Sequence, residues 1–118
     1  MAHILLIGAH PDDCDVTCGG CAVLWSRAGH RVKFVAITNG DRGHYAPEYV
    51  ADRSLLAARR LEEARAAVSF FGGEYECLDV HDGDVYVTPA LTEQLVRVIR
   101  GWGEPGVGPD LVITNRPN

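Results

Sequence analysis

Strand-like and helix-like segments alternate along the whole chain, and this alternation restricts the fold more than any other feature. His3 to Ala9 is a short apolar run without a polar interruption, the pattern of a strand buried on both faces. The Gly19-Gly20 pair then opens a segment in which Cys21, Leu24, Trp25 and Ala28 recur at helical spacing, with Gly29 as its stop. Arg31 to Thr38 predicts a second strand, closed by the turn residues Asn39 and Gly40. A loop of about fifteen residues follows, and loops that long inside a compact domain are usually functional. A long helix is expected from Asp52 to Phe71, with Ala57, Leu61, Ala64, Val68 and Phe71 on one stripe and Gly72-Gly73 at its end. Glu74 to Val80 predicts a third strand. Pro89 suits the first turn of another helix, which buries Leu91, Leu95, Val98 or Ile99, and Trp102. The Gly/Pro-rich segment 103–110 leads to a last short strand, Leu111 to Thr114. Strands joined in this way require a mainly parallel sheet with right-handed crossovers. The expected architecture within residues 1–118 is therefore α/β, a Rossmann-like three-layer sandwich.

Bulk properties narrow the function classes. With 118 residues the chain has the length of one small domain, and 47% hydrophobic with 23% charged residues is a globular composition. A formal net charge of −5 argues against sequence-independent nucleic-acid binding, which needs clustered Lys and Arg. No apolar run reaches the roughly 18 residues that span a bilayer. The opening ten residues lack the basic start and small-residue cleavage site of a secretory signal, so a cytoplasmic location is expected. Cys18 and Cys21 have C-x-x-C spacing, but a structural zinc site wants a second pair, and Cys77 stands alone. The plainer reading makes Cys18 and Cys21 small apolar residues that pack near a helix start. A dinucleotide site is excluded because no G-x-G-x-x-G follows the first strand.

In open parallel sheets ligands bind beyond the carboxyl ends of the strands. Here those ends are Ala9–Cys14, Asn39–His44, Asp79–Asp84 and Asn115 onward, and they hold the polar, metal-binding residue types. Ala-His-Pro-Asp-Asp at 9–13 is the strongest signal. Pro11 removes a ladder donor, and His10 and Asp13 are close enough across the turn to share one ion. Consecutive side chains in a turn diverge, so Asp12 is free to act as a general base on water beside a metal. The competing reading is that these residues merely cap the next helix, where carboxylates are favoured.

The run AHPDD at 9–13, CGG at 18–20, TNGDRGHY at 38–45, the R-x-x-E helix ending in FFG, LDVHDGDV at 78–85 and TNRPN at 114–118 resembles the LmbE-like family of N-deacetylases. That family includes GlcNAc-phosphatidylinositol de-N-acetylases and the deacetylases of mycothiol and bacillithiol synthesis. The resemblance implies zinc ligation by His10 and Asp13, general-base catalysis by Asp12, and substrate binding by Arg60. A bland alternative for Arg60 is an i,i+3 ion pair with Glu63. Asp41, Arg42 and His44 should line the pocket mouth, with a solvated loop as the alternative. Asp82 either orients a neighbour or shapes the Asp82-Gly83 turn, and the turn is the expected role. The implied substrate is an N-acetylated amino sugar of the N-acetylglucosamine type, and His/Asp sites also accept iron or manganese.

Two positions depart from the family pattern. Cys14 stands where many members carry an acidic residue. The His-Pro-Asp-His stretch that completes the family's metal site is not reached before Asn118. The resemblance therefore implies a domain truncated on its C-terminal side, whose missing histidine would come from a second chain or another copy in an oligomer. The rival readings are a catalytically inactive fragment that pairs through an open sheet edge, and a sugar-binding module without chemistry.

Overall fold

A computed structural model describes residues 1–117, so the TNRPN motif lies inside it except for Asn118. Four strands, β1 (His3–Gly8), β2 (Arg31–Thr38), β3 (Glu74–Val80) and β4 (Leu111–Thr114), form one sheet in the order β3-β2-β1-β4. Every pairing is parallel. The helices are α1 (Asp13–Arg27), α2 (Pro47–Ala51), α3 (Arg53–Ser69) and α4 (Pro89–Gly101). The expected α/β sandwich is present.

The alternation of side chains along β1 assigns the layers. Ile4 and Leu6 face a cluster with Ala22 of α1 and Val68 of α3. Leu5 and Ile7 face the opposite cluster, with Val98 of α4 and Trp102 just beyond it. A strand buried on both sides must read as a continuous apolar run, and β1 does. Trp102 also donates its indole N–H to the Ile4 carbonyl at 3.2 Å, so the polar edge of this large ring is satisfied inside the core.

The chain steps outward from β1 to β2 to β3, then crosses back to place β4 on the other side of β1. The strand order reverses between β1 and β4, which is where open α/β sheets bind ligands. Among the described residues β4 pairs with β1 alone and leaves Leu111 43% and Val112 40% exposed. No helix among the described residues is long and apolar enough to cross a membrane.

Three local expectations are corrected. The first helix starts at Asp13, so Gly19 and Gly20 lie inside it instead of opening it. Acidic Asp13 and Asp15 complement the positive end of the helix dipole in the first turn, and Cys14 and Ala22 bury against the sheet. That packing overrides the glycine propensity. Its stop is as expected: Gly29 has φ +88°, with Gly29 N–H bonded to Ser26 O and His30 N–H to Trp25 O, a Schellman cap. The long loop contains the short helix α2, started by Pro47 at its first position. Finally, Cys21 is exposed and does not pack, whereas Cys18 does.

An alanine Cβ at Gly20 would meet no atom within 4 Å. Gly20→Ala is therefore expected to stabilise the protein by about 0.5–1 kcal/mol, read as a higher urea midpoint at unchanged slope. A lower midpoint would reveal another segment packed against that glycine.

Candidate active site

The site begins where β1 turns into α1. Gly8 makes the turn tight, since a Cβ there would lie 2.7 Å from Asp13 Cβ. Asp13 Oδ2 accepts the Ala9 and His10 backbone N–H groups, both at 2.9 Å, which ties the helix start to the strand end. Asp12 occupies the N-cap position with φ 88° and ψ −22°, a left-handed conformation that Asp tolerates better than most residues. Its side chain makes no capping hydrogen bond. The carboxylate is instead 65% exposed on the rim, 3.5 Å from Arg60 Nη2. The capping alternative for Asp12 thus does not hold in its side chain.

His10 lies between two carboxylates. Its Nε2 is 2.8 Å from Asp82 Oδ1, and its Nδ1 is 3.7 Å from Asp13 Oδ2. An ionised Asp82 oxygen only accepts, so a neutral His10 ring in this contact would carry its proton on Nε2 and turn its Nδ1 lone pair toward Asp13. Nitrogen and oxygen ligands on one tetrahedral zinc would lie about 3.4 Å apart at ordinary bond lengths. The observed spacing and the N/O donor chemistry fit two ligands of such an ion. Among the described residues, no group of three His, Cys, Asp or Glu side chains is arranged to hold a metal. Cys14 follows Asp13 but offers no thiolate, because burial first, and the Asp15 charge second, push its thiol up to about 12.

Arg60 projects from α3 under this turn. Its Nη2 donates to Pro11 O at 2.9 Å and its Nη1 to Gly40 O at 3.1 Å, joining the loops after β1 and β2. Gly40, at φ 66°, is required, because an added Cβ would overlap the guanidinium. The i,i+3 pair with Glu63 is not the arrangement found. Glu63 instead accepts from Arg59 Nε at 2.8 Å.

The other expected substrate contacts separate into two kinds. Arg42 is exposed, 3.5 Å from Asp84 Oδ1 across the rim. His44 is exposed too, accepting the Ala46 N–H at 3.0 Å and standing edge-on to Tyr49. Asp41 differs from its expected place at the mouth: it is 4% exposed. Its oxygens are taken by His81 Nδ1 at 2.6 Å and the Asp82 N–H at 3.0 Å. Burial pushes the Asp41 carboxyl up, but the His81 and Asp82 hydrogen bonds, with the charges of His81 and Arg42, outweigh it and hold the group below its ordinary value. Asp82 does more than shape a turn. The turn exists, with Asp84 N–H bonded to His81 O at 3.0 Å, and the same residue orients His10. Its position at the carboxyl end of β3 was the signal for that role. A cavity of about 380 Å³ under α3, against Tyr75 and Cys77, does not include His10 or Asp13.

Residues 5–118 match the family described as PIG-L, GlcNAc-PI de-N-acetylase. The chain belongs to this family. It is 32% identical over 101 residues to the diacetylchitobiose deacetylase of Thermococcus kodakarensis, covering 85% of this chain and 37% of that protein. Among solved structures, the N,N'-diacetylchitobiose deacetylase of Pyrococcus horikoshii superposes with a TM-score of 0.77 at 26% identity, over 83% of this chain and 36% of that one. A 4-carboxy-2-hydroxymuconate hydratase of Pseudomonas putida superposes with a TM-score of 0.76, also at 26% identity, over 86% of this chain and 43% of that one. The PIG-L chain described here thus spans less than half the length of these relatives.

Two tests follow from the geometry. Gly40→Ala forces a side chain into a left-handed position and into Arg60, so a loss of about 1–3 kcal/mol is expected, measured as a lower urea midpoint. An unchanged midpoint would show that Arg60 does not occupy the notch. For Asp41, the folded carboxyl titrates below its ordinary 3.8, so its stabilisation is complete above pH 3.8 and lost as pH falls through the lower folded value. The stability gap between the wild type and Asp41→Asn, about 1–3 kcal/mol at neutral pH, should close in that acid window. A gap independent of pH would remove the charge from the account.

Proposed function

We propose that this PIG-L protein hydrolyses the N-acetyl group of an N-acetylglucosamine-type amino sugar, with a divalent metal held by His10, Asp13 and at least one further ligand. The observation that carries the proposal is the convergence at the strand-order switch: His10 Nδ1 and Asp13 Oδ2 are 3.7 Å apart, beside an exposed Asp12 carboxylate that caps nothing. Zinc is the first expectation, with iron or manganese as alternatives for the same donor set.

When bound, the metal would lower the pKa of water to about 7 and polarise the acetyl carbonyl. Asp12 is the base: a carboxylate oxygen takes one proton from the attacking water as its oxygen bonds to the acetyl carbon. The C–N bond then breaks, and Asp12 returns the proton to the leaving nitrogen, so amide and water become acetate and amine. Asp82 fixes His10 from behind. Arg60 is locked by two carbonyls and presents its charge 3.5 Å from Asp12, where it can receive a substrate oxygen. Arg42 and His44 are exposed on the neighbouring loop and are the proposed contacts to the rest of the sugar. The family description and the deacetylase activity named for the Thermococcus and Pyrococcus proteins support the substrate class.

The Pseudomonas relative favours one second reading, addition of water to a carbon–carbon double bond on the same scaffold. That reaction would draw on the same Asp12 carboxylate as base but liberate no acetate.

The decisive assay is acetate release from N,N'-diacetylchitobiose with added zinc, with and without chelator. Asp12→Asn keeps a residue suited to φ 88° while removing the base, and a fall of about 10²–10⁴ in turnover is expected. Asp12→Ala should be at least as inactive, with added backbone strain. Full activity in the Asn variant would remove Asp12 as the base, and no acetate from the wild type would favour the hydratase reading.

A further inference from the structure

Asp41 is a buried carboxylate with no direct role in the deacetylation chemistry. It is 4% exposed, and neither of its side-chain partners, His81 Nδ1 at 2.6 Å and the Asp82 N–H at 3.0 Å, is a candidate metal ligand. We propose that Asp41 is a positioning residue for the His10 imidazole, pinning the turn after β3 so that Asp82 keeps Nε2 engaged and Nδ1 turned toward Asp13. The inference rests on the metal-site reading of His10 and Asp13.

The need for such an anchor follows from the exposure of the parts it joins. The His10 side chain is 41% exposed, so packing alone does not select its ring orientation, and imidazole rotation about χ2 is intrinsically broad. The hydrogen bond to Asp82 is the specific restraint on it. Asp82 in turn sits in a turn with Gly83 at φ 86° and His81 69% exposed, a segment with little core contact of its own. Asp41 supplies what that turn lacks. Its two oxygens grip consecutive residues, one by side chain and one by backbone, which restricts rotation as well as translation.

Asp41 is itself held from the sheet. Its backbone N–H donates to Asn39 Oδ1 at 3.1 Å, Asn39 Nδ2 donates to Asp79 Oδ1 at 3.0 Å, and Asn39 N–H bonds to Val80 O at 3.0 Å. The carboxyl ends of β2 and β3 thus form one hydrogen-bonded frame, and the frame reaches β1 through the Asp82–His10 bond. Groups that hydrogen-bond a metal-binding histidine directly, as Asp82 does His10, typically contribute about 10–100-fold to metal affinity, and Asp41 acts through that bond.

The test is made on the purified protein with two readouts. In the metal-free state, nitrogen-15 NMR of the His10 ring should show one neutral tautomer, protonated at Nε2, in the wild type and a mixture in Asp41→Ala. Zinc affinity by competition with a chromophoric chelator should fall by about 10–100-fold in Asp41→Ala. Asp41→Asn retains an acceptor for the Asp82 N–H and should lose less. Asp110→Asn weakens the tie to the His3 N–H at the opposite end of the sheet, so it should cost stability while leaving both readouts unchanged. An Asp41→Ala protein with the wild-type His10 tautomer and zinc affinity overturns the proposal. Should that variant fail to fold, His81→Ala removes one of the two ties from an exposed side chain, and an unchanged His10 ring there overturns it equally. A wild type that takes up no zinc overturns metal binding by His10 and Asp13 without a further ligand, and the tautomer populations still decide the anchor.

Discussion

The carboxylate of Asp13 closes the turn on which the site depends. A strand that ends at the middle of a parallel sheet leaves backbone N–H groups pointing past the last ladder bond, and these need acceptors. Asp13 Oδ2 satisfies two of them, on Ala9 and His10, and in doing so folds the first turn of α1 back over the strand end. The closeness of that fold is why Gly8 is glycine. It also makes Asp13 and His10 neighbours, and it pushes Asp12 outward in a left-handed conformation, its carboxylate free of any capping bond and facing Arg60 at 3.5 Å. Three chemically different placements therefore follow from one hydrogen-bonded turn.

Arg60 and Asp41 extend that order to the neighbouring strands by different means. Arg60 works by geometry: a planar fork with several donors can bridge two carbonyls from separate loops, which a lysine ammonium on a flexible stem does less well. Asp41 works by burial. A desolvated carboxylate is costly unless both oxygens are engaged, so its presence commits His81 and the Asp82 amide to fixed positions. The rim is consequently stiff beneath the site, while Arg42 and His44 remain exposed at its edge.

Much of the architecture was legible from periodicity. β1 announces its burial on both faces by an unbroken apolar run, and β2 and β3 fall at the expected residues because turn-forming Asn39-Gly40 and Gly72-Gly73 bound them. The start of α1 was not legible, because glycine propensity pointed one way and tertiary packing of Cys14 and Ala22 decided the other. Of the candidate site residues, His10, Asp12 and Asp13 were readable as neighbours because they lie three residues apart at most, inside one turn. Arg60 was readable only as one of two partners for a charge, and the choice between Glu63 and two loop carbonyls is a matter of side-chain direction. Asp41 looked like a loop residue at a pocket mouth, and nothing local distinguishes a carboxylate that faces water from one that faces a histidine 40 residues away.

The sequence by itself determined the layer order, the turn after β1 and the residue types that meet there, because each is set by local periodicity, by Pro and Gly conformational limits, or by contacts within a few residues. Only the tertiary structure decided that Asp82 turns toward His10, that Asp41 is buried and that Arg60 joins two loops. Those facts depend on three strand ends being brought side by side at the carboxyl end of the sheet, with partners 20 to 72 residues apart in the chain. Sheet register fixes such distances, and no local pattern encodes them.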